Sequence, residues 1–144
     1  MYLLCHPEVP IPLYRHLRRL DYRPRSRPAA PISSSRVNPV DASVLVPVLN
    51  EEAFIRDTVE AMRAQTFEGE VEYLFMDGGS EDRTRELIEE LARSDDRIRL
   101  FDNPGRTSTA GLNVGLRHAR GRYIVRMDAH TFYPPDYIAR GIER

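Results

Sequence analysis

The run Ser43-Val44-Leu45-Val46-Pro47-Val48-Leu49, closed by Asn50-Glu51-Glu52, decides how this chain is read. It is continuously apolar and rich in β-branched residues, which suits a strand covered on both faces rather than one with a wet side. Burial on both faces calls for helices above and below the sheet, and therefore for a parallel sheet built from alternating strands and helices. Pro47 has no N–H to give, so ladder pairing is expected to stop near it. Asn50 is placed to cap a helix of about 51–65, with Glu51 and Glu52 in its first turn and Ile55, Val59 and Met62 at helical spacing.

Toward the C-terminus the same alternation recurs. Val71–Met76 predicts a second strand that ends on Asp77, and Gly78-Gly79-Ser80 makes the turn into a helix carrying Thr84, Leu87, Ile88 and Leu91 on one face. Ile98–Phe101 is a short third strand, followed by the loop residues Asp102-Asn103-Pro104-Gly105. Thr109, Leu112, Leu116 and Ala119 mark a third helix in spite of Gly111 and Gly115, and Gly121 stops it. Arg122–Met127 is a fourth strand. Pro134 and Pro135 open a last helix at first-turn positions, with Tyr137, Ile138 and Ile142 as its apolar side. The order β-α-β-α-β-α-β-α predicts an α/β fold, a doubly wound parallel sheet with right-handed crossovers.

Toward the N-terminus the composition changes. Pro7, Pro10, Pro12, Pro24, Pro28 and Pro31 crowd residues 1–40, which read as a Pro/Arg-rich, poorly ordered arm ahead of a domain over 41–144. Inside the arm, Leu13, Leu17 and Leu20 alternate with Arg15, Arg18 and Arg19; this is either a short basic amphipathic helix for a membrane surface or a partner, or a frayed tail. Cys5 is the single cysteine, which excludes an internal disulfide and a thiolate cluster. A net charge of -1 gives no global pull toward nucleic acid. No stretch reaches the roughly 18 apolar residues of a spanning helix, and the first residues do not read as a signal peptide. The expected location is cytoplasmic, at most at the inner face of the membrane.

Ligands of an open parallel sheet bind beyond the carboxyl ends of its strands, near a switch in strand order. Three strands end there in polar residues: Leu49-Asn50-Glu51, Met76-Asp77-Gly78-Gly79-Ser80 and Met127-Asp128-Ala129-His130. Side chains two apart on a strand point the same way, so Asp128 and His130 could converge on one divalent ion if the strand stays extended through Ala129. Asp77 could accept an imino N–H from a nucleotide base, with Gly78 and Gly79 letting backbone approach the ligand. Arg106 and the helix N-terminus that follows it, with Thr107 and Ser108, are candidates for a diphosphate. Asn113 is polar on a packed helix and reads either as a cleft residue or as a plain satisfied polar.

Four segments in order carry a family resemblance: Val44–Glu52, Met76–Thr84, Asn103–Gly115 and Arg126–His130 with the Tyr133-Pro134-Pro135-Asp136-Tyr137 beyond it. The chain resembles glycosyltransferase family two, and within it is most similar to bacterial exopolysaccharide transferases of the succinoglycan-biosynthesis type. The resemblance implies a GT-A fold, a nucleotide-diphosphate sugar donor (UDP-linked by expectation), a saccharide or lipid-linked acceptor and inverting transfer. It places Pro47, Asn50, Glu51, Asp77 and Arg106 around the nucleotide, and Asp128 and His130 at the metal and ribose-diphosphate motif.

Two departures stand out. The usual paired acids after the second strand are here Asp77-Gly78, and the usual D-x-D is D-x-H. An imidazole among the ligands favours Mn²⁺ over Mg²⁺, though either could serve. The resemblance also implies that the base comes from a second half of the domain to which no residue here can be matched. The chain is therefore expected to be a donor-binding half, open to dimerisation through Tyr137, Ile138, Ile142 and a bare sheet edge. The competing readings are a nucleotidyltransferase, a dinucleotide oxidoreductase and a non-catalytic binding module. The first lacks a Gly-rich basic loop after strand one, and the second lacks G-x-G-x-x-G.

Overall fold

The computed structural model describes residues 40–143. The arm, apart from Val40, lies outside these residues, and with it Cys5 and the Leu13–Leu20 repeat. Four strands, β1 (Ala42–Val48), β2 (Val71–Asp77), β3 (Ile98–Asp102) and β4 (Tyr123–Arg126), alternate with four helices, α1 (Ile55–Arg63), α2 (Thr84–Ser94), α3 (Ser108–His118) and α4 (Tyr137–Ile142). The sheet is parallel throughout, in the order β3-β2-β1-β4. The chain steps outward from β1 to β2 to β3, then returns past β1 to lay down β4. The order reverses between β1 and β4, and this makes the crevice beyond their carboxyl ends the switch point.

β1 is central because it is apolar on both faces. Ala42, Val44, Val46 and Val48 pack with Tyr73 and Phe75 against Ile55, Val59 and Met62 of α1, Leu87 and Ile88 of α2, and Ile138 of α4. Leu45, Leu74 and Met76 face the other way, toward Leu112 of α3. Pairing stops short of Pro47 on one side only. β1 pairs with β2 as far as Val48↔Asp77 but with β4 only to Leu45↔Arg126. The Leu45 carbonyl accepts from Met127 N–H, and alternation puts position 47 on that same side. The missing N–H thus falls where β4 has already ended.

The structure corrects four local expectations. α1 starts at Ile55, with Phe54 ahead of it making no side-chain cap, so Asn50 is not its cap. Asn50 instead has φ 55° and reaches sideways to the next loop. Pro134 and Pro135 precede α4 rather than opening it; their carbonyls accept from Gln65 Nε2 at 2.9 Å and Thr66 N–H at 2.8 Å, docking the segment on the end of α1. Ile138, expected as an exposed apolar residue, is fully buried. On α3 it is Gly111 and Gly115 that face the sheet, while Leu116 is exposed. A Cβ at Gly115 would lie 2.9 Å from Leu45 Cδ2 and 3.0 Å from Met76 Sδ. The glycines, read as helix weaknesses, are what lets α3 lie close on the sheet.

Candidate functional site

The loops after β1 and β2 are laced together. Asn50 N–H donates to Ser80 Oγ (2.9 Å), and Asn50 Oδ1 accepts Glu81 N–H (2.8 Å). Glu51 N–H donates to Thr84 Oγ1 (2.7 Å), Glu52 N–H to Asp82 Oδ2 (3.1 Å), and Arg83 N–H returns to Glu52 Oε2 (2.9 Å). Asn50 and Arg106 are the non-glycine residues with positive φ among those described, both at 55°. Left-handed backbone is disfavoured for side chains with a Cβ and tends to collect where function constrains the chain. Both residues were singled out as site candidates from sequence.

Asp77 lies under this lacing with its side chain turned inward. Oδ1 accepts Ser80 N–H (3.0 Å) and Oγ–H (2.6 Å), and Oδ2 meets Arg85 at 3.4 Å. Arg85 also bonds Asp102 Oδ1 at 2.8 Å. A hydrogen-bond line therefore runs from Asn50 N–H through the Ser80 hydroxyl to Asp77. Gly78 N–H donates to the Val48 carbonyl at 2.9 Å, and a Cβ at Gly78 would meet Arg106 Cα at 3.4 Å. The Arg106 turn thus rests on Gly78-Gly79, and its exposed guanidinium leans toward Glu81 at 4.0 Å. Thr107 caps α3, its hydroxyl accepting Ala110 N–H. Asn113 is exposed, on the face of α3 opposite Gly111 and Gly115. The structure brings Pro47, Asn50, Asp77, Gly78 and Arg106 to one edge, and sets Asn113 apart on the solvent side of its helix.

At the switch point β4 ends at Arg126, so Asp128-Ala129-His130 is not extended strand; it is a turn, with Thr131 N–H on the Asp128 carbonyl at 3.2 Å. The alternation argument for Asp128 and His130 pointing the same way does not hold. The segment is held instead by a set of pins. Tyr133 Oη accepts Asp128 N–H (2.7 Å), the Thr58 hydroxyl donates to the Ala129 carbonyl, and Asp128 Oδ1 takes Arg126 Nε (3.0 Å) and a terminal nitrogen (2.9 Å). His130 Nδ1 lies 2.9 Å from Glu51 Oε1, bridging the β1 and β4 loops across the crevice. Among the described residues no three His, Cys, Asp or Glu side chains gather as a ready-made metal cage.

Sequence reasoning passed over Ser80, Thr84 and Tyr133 as site-building residues, and also over Phe54 and Phe132, exposed at 47% and 89%. The two phenylalanines flank a hollow of about 180 Å³ that His130 and Asp57 also line. Their signal was a large apolar residue just after each of two polar strand ends. A larger hollow of about 390 Å³ runs between α4 and the outer edge of β4, away from these loops.

The model of glycosyl transferase family 2 matches residues 43–144. The chain belongs to that family. Succinoglycan biosynthesis protein ExoA of Rhizobium meliloti is 34% identical over 114 residues, covering 78% of this chain and 34% of that protein. Putative glycosyltransferase EpsH of Bacillus subtilis is 34% identical over 95 residues, covering 66% and 27%. Among solved structures, a mannosyltransferase from Pyrobaculum calidifontis in complex with GDP-Man and Mn²⁺ superposes on 65% of this chain and 28% of its own, with TM-score 0.60 and 27% identity. TarS of S. aureus in complex with UDP, at 23% identity and TM-score 0.57 over 72% of this chain and 31% of its own, shares the fold. The fold is GT-A, and this family 2 chain spans about a third or less of the length of these two relatives. Among its described residues no helix is long and apolar enough to cross a membrane.

Proposed function

We propose that this chain holds the donor of an inverting glycosyltransferase, a nucleotide-diphosphate sugar of UDP type, for transfer to a saccharide or lipid-linked acceptor. The observation that carries the reading is the switch-point crevice, where Asp128 and His130 come off β4 facing the Asn50-Glu51 turn of β1. Asn50, Pro47, Asp77 and Gly78 wall the nucleoside side. Arg106 and the α3 N-terminus supply the positive end for the diphosphate. The Asp77 carboxylate is engaged by Ser80 and Arg85, so in this reading a base N–H reaches it when Arg85 swings out.

The donor set suits a divalent ion. Asp128 has Oδ2 beyond the two Arg126 contacts, and His130 has Nε2 beyond its Glu51 contact. One or two protein ligands completed by ligand phosphates is a common arrangement for Mg²⁺ and Mn²⁺. A bound ion would offset the negative charge that grows on the departing diphosphate. Arg106 and the α3 amides would add to that from the protein side.

Titrating UDP into the protein by calorimetry, with and without Mn²⁺, tests the reading. Asp128→Ala should weaken metal-dependent UDP binding by about tenfold or more, on the scale of losing one charge-assisted ligand. Equal affinity for native and variant protein, with and without metal, would overturn it. UDP binding without turnover of UDP-sugars would instead favour a binding module, a reading that the one-third coverage of the relatives keeps open.

A further inference from the structure

Resting on that donor-site reading, we propose that Glu51 is the residue that positions His130. Its carboxylate holds the Nδ1–H, turns Nε2 toward the ion, and so sets the preference of the site for Mn²⁺ over Mg²⁺.

The two partners are unequally fixed. The Glu51 side chain is 17% exposed, whereas that of His130 is 60% exposed. Glu51 is also tied through its backbone on both sides: its N–H goes to Thr84 Oγ1, and its carbonyl accepts Phe54 N–H (2.9 Å) and Ile55 N–H (3.1 Å). The ring has no comparable anchor of its own. Its backbone is set by the Thr58 bond to the Ala129 carbonyl and by Tyr133 on Asp128, which bring the ring to the crevice without fixing its rotation. A carboxylate oxygen 2.9 Å from Nδ1 can only accept, so Nδ1 carries the hydrogen and, in the neutral ring, the lone pair for a metal lies on Nε2.

An outer carboxylate on one ring nitrogen with the metal on the other is how histidine ligands are held elsewhere, and loss of the outer partner typically costs about 10–100-fold in metal affinity. Divalent affinity for a nitrogen donor rises along the first transition row, whereas Mg²⁺ is suited to oxygen ligands. The imidazole therefore discriminates between the two ions only while Nε2 is presented. Glu51 holds a specificity-determining ligand that it does not replace.

The experiment is a double-mutant cycle on Mn²⁺ affinity, read by electron paramagnetic resonance of free Mn²⁺ with UDP saturating. It uses native protein, Glu51→Ala, His130→Ala and the double variant, with thermal melts confirming that each is folded. The expected results are a loss of about tenfold or more in Glu51→Ala, a similar loss in His130→Ala, and little further loss when Glu51→Ala is added to His130→Ala. Nitrogen-15 spectra of the imidazole in metal-free protein should show the Nδ1–H tautomer in native protein and not in Glu51→Ala, with Glu51→Gln, which still offers an acceptor oxygen, retaining much of it. Mg²⁺ affinity, measured by competition, should fall less than Mn²⁺ affinity.

A full additional loss from Glu51→Ala in the His130→Ala background would overturn the proposal, because Glu51 would then act on the ion or the nucleotide directly. An unchanged tautomer, or unchanged Mn²⁺ affinity in His130→Ala, would also overturn it. If Asp128→Ala still abolishes metal-dependent UDP binding in those cases, the donor-site reading stands and only the positioning role fails.

Discussion

Strand β2 buries an acid at each end, Glu72 at 2% and Asp77 at 3% exposure, yet the two are held in different ways. At the amino end Glu72 collects Ser43 Oγ–H at 2.6 Å, Arg120 N–H at 2.7 Å, the Arg120 guanidinium at 2.8–2.9 Å and Arg99 at 3.1 Å. Burial pushes its carboxyl up, but these bonds together hold it below its ordinary value. At the carboxyl end Asp77 is met by one loop serine and by one arginine that it shares with Asp102. The first arrangement closes a turn: Ser43 Oγ also accepts Gly121 N–H at 2.8 Å, which fastens the α3–β4 connection to β1. Glu72 is met by a strand hydroxyl, a backbone N–H and two arginines, which tie β1, β3 and the α3–β4 turn to β2. Asp77 has only the loop serine and the arginine shared with Asp102, so a ligand has fewer bonds to displace there.

The sharpest way to break this contrast is Glu72→Ala. Removing the carboxylate strips the bond partners of Ser43, Arg99 and Arg120 together, and breaking a buried ion pair costs about 3 kcal/mol or more. Urea denaturation should show that loss, with UDP affinity of the folded fraction little changed. If Glu72→Ala instead removed UDP binding with stability intact, the assignment of the two ends would be reversed.

This contrast explains what could be read in advance. The sheet was legible because β1 and β2 are long apolar runs whose burial pattern follows from composition, and because β1 gives way to Asn50-Glu51 while β2 and β3 stop on Asp77 and Asp102. The candidate site was legible only as a sheet edge: Asn50, Glu51, Asp77, Arg106, Asp128 and His130 sit at or beyond strand ends. Their contacts were not legible. Glu51 and His130 are 79 positions apart and meet only because β4 is laid beside β1. Asn50 has the chemistry of a cap, but two hydrogen bonds to the neighbouring loop outcompete the helix end, and no local pattern announces that choice. Glu72 reads as an ordinary strand polar until Ser43 and Arg120 are known to surround it. Gly111 and Gly115 weigh against a helix by propensity, a weak prior that close packing overrides, and their packing role has no local signal.

A second test uses acid. Asp95, in the α2–β3 loop at the same closed edge, is gripped by Arg97 at 2.9 Å and Arg63 at 3.1 Å. The Arg97 bond, against the upward push of burial, holds its carboxyl down at about 2. Glu72 and Asp95 are thus both depressed from ordinary values of 4.5 and 3.8. Between those values and the folded ones the unfolded chain binds more protons, so their stabilisation is complete above about pH 5 and is lost as pH falls toward 2. Unfolding free energy should therefore decline over that window. Asp95→Asn should flatten the decline and lower stability at pH 7 by about 1–3 kcal/mol, as expected for hydrogen bonds to a charged group. An acid limb identical to that of native protein would count against Asp95 as a closed-edge anchor.

The smallest effect expected is at the helix that joins the two edges. α3 starts beside the Arg106 turn and ends at His118, whose carbonyl accepts Arg99 at 3.2 Å. A methyl at Gly115 must displace Leu45 and Met76, for which overpacking costs about 1–3 kcal/mol, while the gain in helix propensity returns about 1 kcal/mol. The net loss for Gly115→Ala should be about 1 kcal/mol. It should show more clearly in hydrogen exchange than in a melt. A helix lifted at its middle loosens first where its neighbours are loops, so amides of Gly78 and Arg106 should exchange faster than those of Arg120 and Gly121. Faster exchange at Gly121 with Arg106 unchanged would mean that the closed edge depends on α3 packing rather than on Glu72, and would move the anchor of this sheet from an acid to two glycines.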